Sequence, residues 1–371
     1  MTRILINHVS PMPNKLTGIS VYTWKIVEAL HRHGRHDYVL ATNWDADRLP
    51  PEIRALGMEI VHRSVPRNET RAVLRNTIEL PRLRRRLGAS LVFHPQPTSS
   101  FSEAGRSTVV IHDLYRVTHR ALYPRAQQWQ WRLATAPAFG RAARLVCVSE
   151  ATRQALIAAY PRLSSRSAVV HEASPIEVSA ADQAAGGRGD YGLMVANVTP
   201  NKNVALLFAA LDLLAGEGWQ PRIVLVGRDD MGALDELRRR YPRAAVEMPG
   251  SVNDAELRRL YAGAGVYINT SLVEGFCLPV LEAQTCGTPV ICADIPVLRE
   301  VAGEGAMFVD PHAPRQLADA LRAMLNDAAT HARMRDRAIA NAQRFGWPKA
   351  ARETEAVFDA ILASRGEGAQ R

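Results

Sequence analysis

At 371 residues the chain is too long for one ordinary core and suits two domains of about 150–200 residues each. With 47% hydrophobic and 22% charged residues it has the composition of an ordinary soluble globular protein. Net charge is +9 and unevenly spread: residues 1–180 carry 25 Lys+Arg against 13 Asp+Glu, the remainder 21 against 24. A basic front half points to an acidic partner, a membrane surface or a lipid diphosphate. Nucleic acid is not expected, because neither paired Cys and His ligands nor an aromatic RNA-binding strand occurs. The four cysteines (Cys147, Cys277, Cys286, Cys292) form no C-x-x-C pair and read as reduced packing residues, not as a disulfide framework or a metal site. The N-terminus runs straight into a strand with no apolar leader, and no run of about 18 apolar residues occurs, so a cytoplasmic location is expected.

Residues 2–9 read as a short apolar strand, 11–18 as a loop of turn formers, and 21–33 as a helical period ending at Gly34. Further strands follow at 38–42, 59–62, 91–94 and 108–112. This alternation predicts a parallel sheet wrapped by helices, with ligands outside the carboxyl ends of the strands. Asp45-Ala-Asp47 matches a metal-binding D-x-D by letter, but it lies beside a Pro-Pro turn and reads as a surface loop. Residues 66–88 interleave Arg67, Arg71, Arg75, Arg82, Arg84, Arg85 and Arg86 with apolar residues at three- and four-residue intervals. The pattern describes a basic amphipathic segment bent at Pro81: either a solvated face or a contact with anionic lipid through Arg82, Arg84, Arg85 and Arg86. His112-Asp113 closes an apolar strand at its carboxyl end. Residues 123–139 read as a helix, and Ser149 as the N-cap of another with Thr152 in its first turn. Residues 168–171 give one more strand.

Residues 179–190 are small, polar and glycine-rich, as a linker is. Gly187-Arg-Gly-Asp-Tyr-Gly192 inside this stretch matches G-x-G-x-x-G, but it precedes a strand instead of following one and is not a dinucleotide site. Beyond it a strand ends near Asn197 and Lys202 opens the next helix, where an ammonium can reach phosphates. A strand at 223–226 exits through Gly227 and Arg228, and Gly250, Val252 and Asn253 continue the same edge. Next comes a strand ending at Asn269, then a tight loop, Glu274-Gly275-Phe276-Cys277-Leu278, and a helix with Pro279 near its start, where the missing N–H costs nothing. The N–H groups there, with the helix dipole behind them, suit an anion such as a pyrophosphate. Glu274 and Glu282 border the same place, and carboxylates accept hydrogen bonds from sugar hydroxyls, so a nucleotide sugar fits. Residues 288–293 and 303–311 supply the last strands, and 314–326, 331–345 and 348–362 are helical by period.

The run from Glu274 to Glu282 resembles the E-x7-E signature of the family 4 retaining glycosyltransferases. His112-Asp-Leu, Lys202-Asn203, Gly18, Ser149, Gly227, Gly250, Pro289 and Trp347 fall where that family places its other motifs. The resemblance implies an α/β architecture of the GT-B type: two Rossmann-like parallel-sheet domains facing across a cleft, at 1–178 and 191–347, with 348–371 returning to the first. It implies that Glu274 and His112 meet the donor sugar, that Glu282 meets the ribose, and that Lys202 grips the diphosphate. Gly18, Asn197, Gly227, Arg228, Val252, Gly275, Phe276, Cys277 and Leu278 would line the rest of the donor site. Two positions depart from the family: Asn197 stands where many members have arginine, and Cys277 where many have glycine. The implied reaction is metal-independent, cofactor-free, retaining transfer of a hexose from a nucleoside diphosphate. The donor leans to GDP-mannose with UDP-sugars as alternative, and the acceptor to a saccharide or polyprenyl-diphosphate-linked saccharide in surface polysaccharide synthesis. A non-catalytic sugar-binding subunit and a sugar-nucleotide epimerase of the same architecture remain open at this stage.

Overall fold

The computed structural model describes residues 1–371 apart from 11–12, 16, 67, 98–99, 121–123, 180–182, 184–188 and 367–371. Most of the stretch expected as a linker, the first two residues of the rejected glycine fingerprint, and residues Leu16, Arg67 and Tyr123 therefore lie outside the described residues. The chain divides into two compact units: Met1–Ala173 with Gly346–Arg371, and Ser174–Phe345.

In the first unit β1 (Arg3–His8), β2 (Asp37–Thr42), β3 (Glu59–His62), β4 (Leu91–His94), β5 (Ser107–Ile111), β6 (Arg144–Cys147) and β7 (Ser167–Val169) form one sheet in the order β3-β2-β1-β4-β5-β6-β7. Every pairing is parallel. Helices cover both faces of such a sheet, which is why its central strands read as unbroken apolar runs, Ile4 to Ile6 and Val109 to Ile111 among them, all essentially fully buried. The helix Gly18–His33 starts three residues before the apolar period suggests. Thr17 and Ser20 form a reciprocal capping box there, which polar residues build and a hydrophobic pattern does not register. Helix Glu69–Arg86 runs unbroken through Pro81, so the expected bend does not end it. The expected helix after residue 123 is in three pieces, Arg125–Gln130, a π-turn at Trp131–Thr135, and Ala136–Phe139.

The second unit holds β8 (Tyr191–Val195), β9 (Arg222–Val226), β10 (Glu247–Gly250), β11 (Val266–Asn269), β12 (Val290–Ala293) and β13 (Ala306–Val309), ordered β10-β9-β8-β11-β12-β13 and again parallel throughout. Its core gathers Leu207, Leu211 and Leu214 of helix Val204–Gly216 with Leu317 and Leu321 of helix Pro314–Asn326 over the sheet. In both units the order reverses after the first strand, between β1 and β4 and between β8 and β11. Loops leaving those neighbours diverge and open a crevice at the carboxyl edge.

The C-terminal helix Trp347–Ser364 is held in the first unit by a buried carboxylate. Glu355, 1% exposed, accepts hydrogen bonds from the backbone N–H of Arg35 and His36 and from the Tyr38 hydroxyl at 2.6 Å. A Cβ at Gly34 would stand 2.6 Å from that carboxylate and 2.4 Å from the Leu30 carbonyl, so only glycine passes there. Glu355→Ala leaves three donors without their acceptor. We expect a loss of roughly 3 kcal/mol in unfolding free energy by urea titration, at about 1–3 kcal/mol per stranded buried group with partial recovery by water.

Candidate active site

The reversal point of the second sheet brings together two loops about 70 residues apart in the chain. After β8 the chain makes a 3-10 turn at Pro200–Lys202 and passes through Asn203 in the left-handed region (φ 48°) before its helix starts at Val204. Lys202 thus sits in a turn ahead of the helix and does not open it. After β11 the Thr270 hydroxyl donates to the Lys202 carbonyl (2.8 Å), and the Leu272 N–H to the Asn201 carbonyl (2.8 Å), so the two loops are stitched edge to edge. The Lys202 ammonium reaches Glu274 Oε1 at 2.5 Å, and the Ser271 hydroxyl donates to the same oxygen at 2.7 Å. Burial works to lower the Lys202 pKa, but the Glu274 carboxylate outweighs it and holds the ammonium above its ordinary range.

Cys277 adopts φ 84° and ψ 68°, a conformation that favours glycine, and its sulfur accepts from Asn269 Nδ2 at 3.1 Å. Helix Leu278–Thr285 follows with Pro279 in its first turn. The Val280 N–H turns back to the Cys277 carbonyl (3.1 Å) and Pro279 has none to give. The N–H groups of Cys277 and Leu278 make no backbone hydrogen bond among the described residues, so the anion cradle is narrower than expected from the sequence. Phe276 is buried and packs edge-on against Phe345, 5.9 Å between ring centres.

Glu282 lies one turn into this helix, half-buried, and accepts from the Tyr261 hydroxyl at 2.6 Å. Burial pushes its carboxyl up to about 7; Tyr261 pulls the other way and Asp254 adds to the rise. The remaining expected donor residues line the same edge. Gly227 leaves β9 with φ 154°, where a Cβ would meet the Ala196 carbonyl oxygen at 2.0 Å. The Arg228 N–H donates to Asn197 Oδ1 (3.0 Å) while its side chain pairs with Asp230 (3.1 Å). Asn197 Oδ1 therefore braces the β9 exit, and the Nδ2 of the same side chain is the group that could donate to a phosphate. Gly250 ends β10 in the left-handed region, Val252 is half-buried, and Asn253 caps the next helix.

His112 and Gly18 belong to the first unit. A Cβ on Gly18 would meet nothing within 4 Å, so no steric demand for glycine exists at this position by itself. His112 is 8% exposed, with Nδ1 3.0 Å from Glu172 Oε1, Nε2 2.9 Å from the Pro95 carbonyl, and Tyr22 edge-on at 4.7 Å. Both ring nitrogens face acceptors; burial works to lower the ring's pKa, but Glu172 and the carbonyl outweigh it and hold it above the ordinary histidine value. His112 is thus clamped on both sides at the carboxyl end of its strand.

The profile of the glycosyl transferases group 1 matches residues 177–344, and that of glycosyltransferase family 4 matches residues 16–173. The chain belongs to the family 4 glycosyltransferases. It is 32% identical over 170 residues to the O-antigen chain mannosyltransferase B of Escherichia coli, a match covering 44% of each chain. The chain spans about half the length of the curated relatives it matches. Among solved structures it resembles a sucrose-phosphate synthase from Thermosynechococcus elongatus, at TM-score 0.76 and 19% identity over 98% of this chain and 100% of that one. It also resembles HepE of Anabaena in complex with UDP-glucose, at TM-score 0.74 and 18% identity over 97% and 100%. The fold is GT-B.

Within this family chain, Lys202, Glu274, Gly275, Phe276, Cys277, Leu278 and Glu282 are brought into one loop-and-helix cluster, while Asn197, Gly227, Arg228 and Val252 lie along the neighbouring strand exits. Sequence reading passed over Ser271, Asn269, Tyr261 and Glu172. Ser271 and Asn269 adjoin the motif, so their proximity was a signal. Tyr261 and Glu172 carry none, since their partners lie 21 and 60 residues away.

Of the arginines expected at a membrane, Arg84 is turned inward: it pairs with buried Glu103 (3.0 Å) and donates to the Ala89 carbonyl (2.9 Å), whereas Arg82, Arg85 and Arg86 are exposed. Among the described residues no helix is long and apolar enough to cross a membrane.

The raised Glu282 carboxyl has a measurable signature. Its folded value of about 7 exceeds the ordinary 4.5, so its contribution to stability is complete below 4.5 and is lost as pH rises through 7. Carbon-13 NMR of the glutamate carboxyls should show one group titrating near 7, with a higher midpoint in Tyr261→Phe, which removes a bond favouring the charged form.

Proposed function

We propose that this chain transfers a hexose from a nucleoside diphosphate to a saccharide or lipid-linked saccharide, with retention at the anomeric carbon, in the building of a surface polysaccharide. The observation that carries the reading is the Lys202 ammonium and the Glu274 carboxylate held together at the sheet's reversal point, beside two N–H groups at a helix start that make no backbone hydrogen bond among the described residues. A diphosphate in that crevice takes the ammonium from Glu274 and accepts from the N–H groups of Cys277 and Leu278. Glu274, still steadied by Ser271, then accepts from hydroxyls of the donor sugar, and Glu282 from those of the ribose. As the glycosidic bond breaks, negative charge gathers on the leaving diphosphate, and Lys202 with the helix dipole stabilises it in place. His112, its ring held between Glu172 and the Pro95 carbonyl, is the residue this reading assigns to the donor sugar. In this reading the leaving-group charge is met by protein groups, so no metal or cofactor takes part.

Mannose from GDP-mannose is the favoured donor because the Escherichia coli relative is named for mannosyl transfer; a UDP-sugar is the alternative. The basic first unit suits an acceptor carried on a polyprenyl diphosphate at the inner face of the cytoplasmic membrane. Cys277 in place of glycine narrows the cradle and favours, as a second reading, a subunit that binds the nucleotide sugar without turnover.

Two measurements separate these readings. Lys202→Ala and Glu274→Gln should each lower transfer from the preferred donor by about 10²–10³, the usual loss on removing one group aimed at developing charge. A wild-type protein that binds the nucleotide yet neither transfers nor hydrolyses the sugar establishes the binding subunit instead. Transfer should also persist at full rate after dialysis against EDTA, and a rate restored only by Mg2+ or Mn2+ overturns the metal-free assignment.

A further inference from the structure

Glu172 is a buried carboxylate to which the transfer reaction as described assigns nothing. It is 5% exposed and stands just past β7, while His112 stands just past β5 and Pro95 directly after β4. β6 separates β5 from β7, so only the assembled sheet makes the glutamate and the histidine neighbours. One Glu172 oxygen lies 3.0 Å from His112 Nδ1, and the Pro95 carbonyl lies 2.9 Å from Nε2. The Glu172 carboxylate makes no other hydrogen bond among the described residues. Burying a carboxylate is costly unless it is paired, and here the pairing is with this one ring. Tyr22 of helix Gly18–His33 is fully buried and packs edge-on against the same ring at 4.7 Å, which shields it from water.

The proton count follows from the acceptors. A proline carbonyl can only accept, so the contact at Nε2 is favourable only when that nitrogen carries a hydrogen. A neutral imidazole has a single N–H, and placing it on Nε2 turns the Nδ1 lone pair toward Glu172. Both contacts are hydrogen bonds at once only when the pair holds one further proton, on Nδ1 or on the carboxyl. Burial works to lower the ring's pKa, but Glu172 outweighs it, with the Pro95 carbonyl and Asp113 adding to the rise. Asp113 Oδ1 is engaged by the Tyr115 N–H at 3.2 Å and Tyr22 brings no charge, which leaves Glu172 as the carboxylate in contact with the ring.

We propose that Glu172 is a positioning residue for the transfer reaction: through Nδ1 it fixes the plane of the His112 ring and keeps a hydrogen on Nε2, which the Pro95 carbonyl holds until a hydroxyl of the donor sugar takes it over. This rests on the assignment of His112 to the donor sugar made above. A hydroxyl accepting at Nε2 replaces one hydrogen bond with another, so the exchange costs little.

The test combines nitrogen-15 NMR of the His112 ring in the full chain with the pH dependence of transfer. In wild type Nε2 should stay protonated up to a midpoint above the ordinary 6.5. Glu172→Gln keeps the shape and removes the charge, so it should move that midpoint downward. The basic limb of kcat/KM should follow the ring, falling at lower pH in Glu172→Gln than in wild type. At neutral pH kcat should drop by roughly 10- to 100-fold, the scale of one hydrogen bond to a charged group, with the donor KM changed about twofold or less. A Glu172 that merely holds its loop would lower the unfolding temperature and move neither midpoint. A wild-type ring that loses its Nε2 hydrogen below 6.5 overturns the proposal without any variant, as does an equal ring midpoint in both proteins. A shifted ring midpoint with kcat and the pH profile unchanged overturns it too, because the pair then serves packing alone. Absence of transfer by wild type sinks the enzymatic reading instead, and the ring titration still decides whether Glu172 sets the proton on His112.

Discussion

A lysine and a glutamate 72 positions apart share one hydrogen bond because two parallel strands leave their sheet in opposite directions. β8 and β11 are neighbours, but the chain departs β8 toward β9 on one side and β11 toward β12 on the other. The exits diverge, and backbone that would otherwise pair with backbone must find other partners. Thr270 donates to the Lys202 carbonyl and Asn269 Oδ1 accepts from the Ser271 N–H, while Asn269 Nδ2 donates to the Cys277 sulfur and the Ser271 hydroxyl to the Glu274 carboxylate. The polar residues at the mouth of the crevice therefore hold the loops in place and present charge in the same act.

A second regularity is that several inward-facing ionisable groups among the described residues have a neutral or oppositely charged partner of their own. Glu282 has Tyr261, His112 has Glu172, and Glu355 has Tyr38 and two backbone amides. An isolated charge in such places would cost several kcal/mol. Burial and partners set protonation together: burial pushes the Glu282 carboxyl up to about 7 and the Cys147 and Cys286 thiols up to about 12, so these two thiols stay uncharged, while Glu172 and the Pro95 carbonyl outweigh burial and raise His112.

The excess of arginine in the front half divides into two populations. Arg63, Arg84 and Arg166 are turned inward onto Asn7 and Asn76, onto Glu103, and onto the carbonyls of Ala142 and Gly140. They brace loops at the sheet edge. Arg82, Arg85, Arg120 and Arg132 are turned outward beside exposed apolar side chains. A charge count treats both populations alike.

Much of the fold was legible in the sequence because its determinants are local. Unbroken apolar runs such as residues 4–6 and Val290–Ala293 announced buried parallel strands, and Ser149, Pro279 and Gly227 announced a cap, a helix start and a tight exit, each for a reason confined to a few residues. The stretch from Glu274 to Glu282 was legible for the same reason: loop, proline and both carboxylates are contiguous. What only the tertiary structure decided was every property that depends on a partner distant in the chain. Among these are the engagement of Lys202 by Glu274, the clamp on both nitrogens of His112, the tyrosine that holds Glu282, and the inward turn of Arg84. Side-chain direction and protonation follow from which strand exits become neighbours, and that is set by the packing of the whole sheet, which no short window of residues contains.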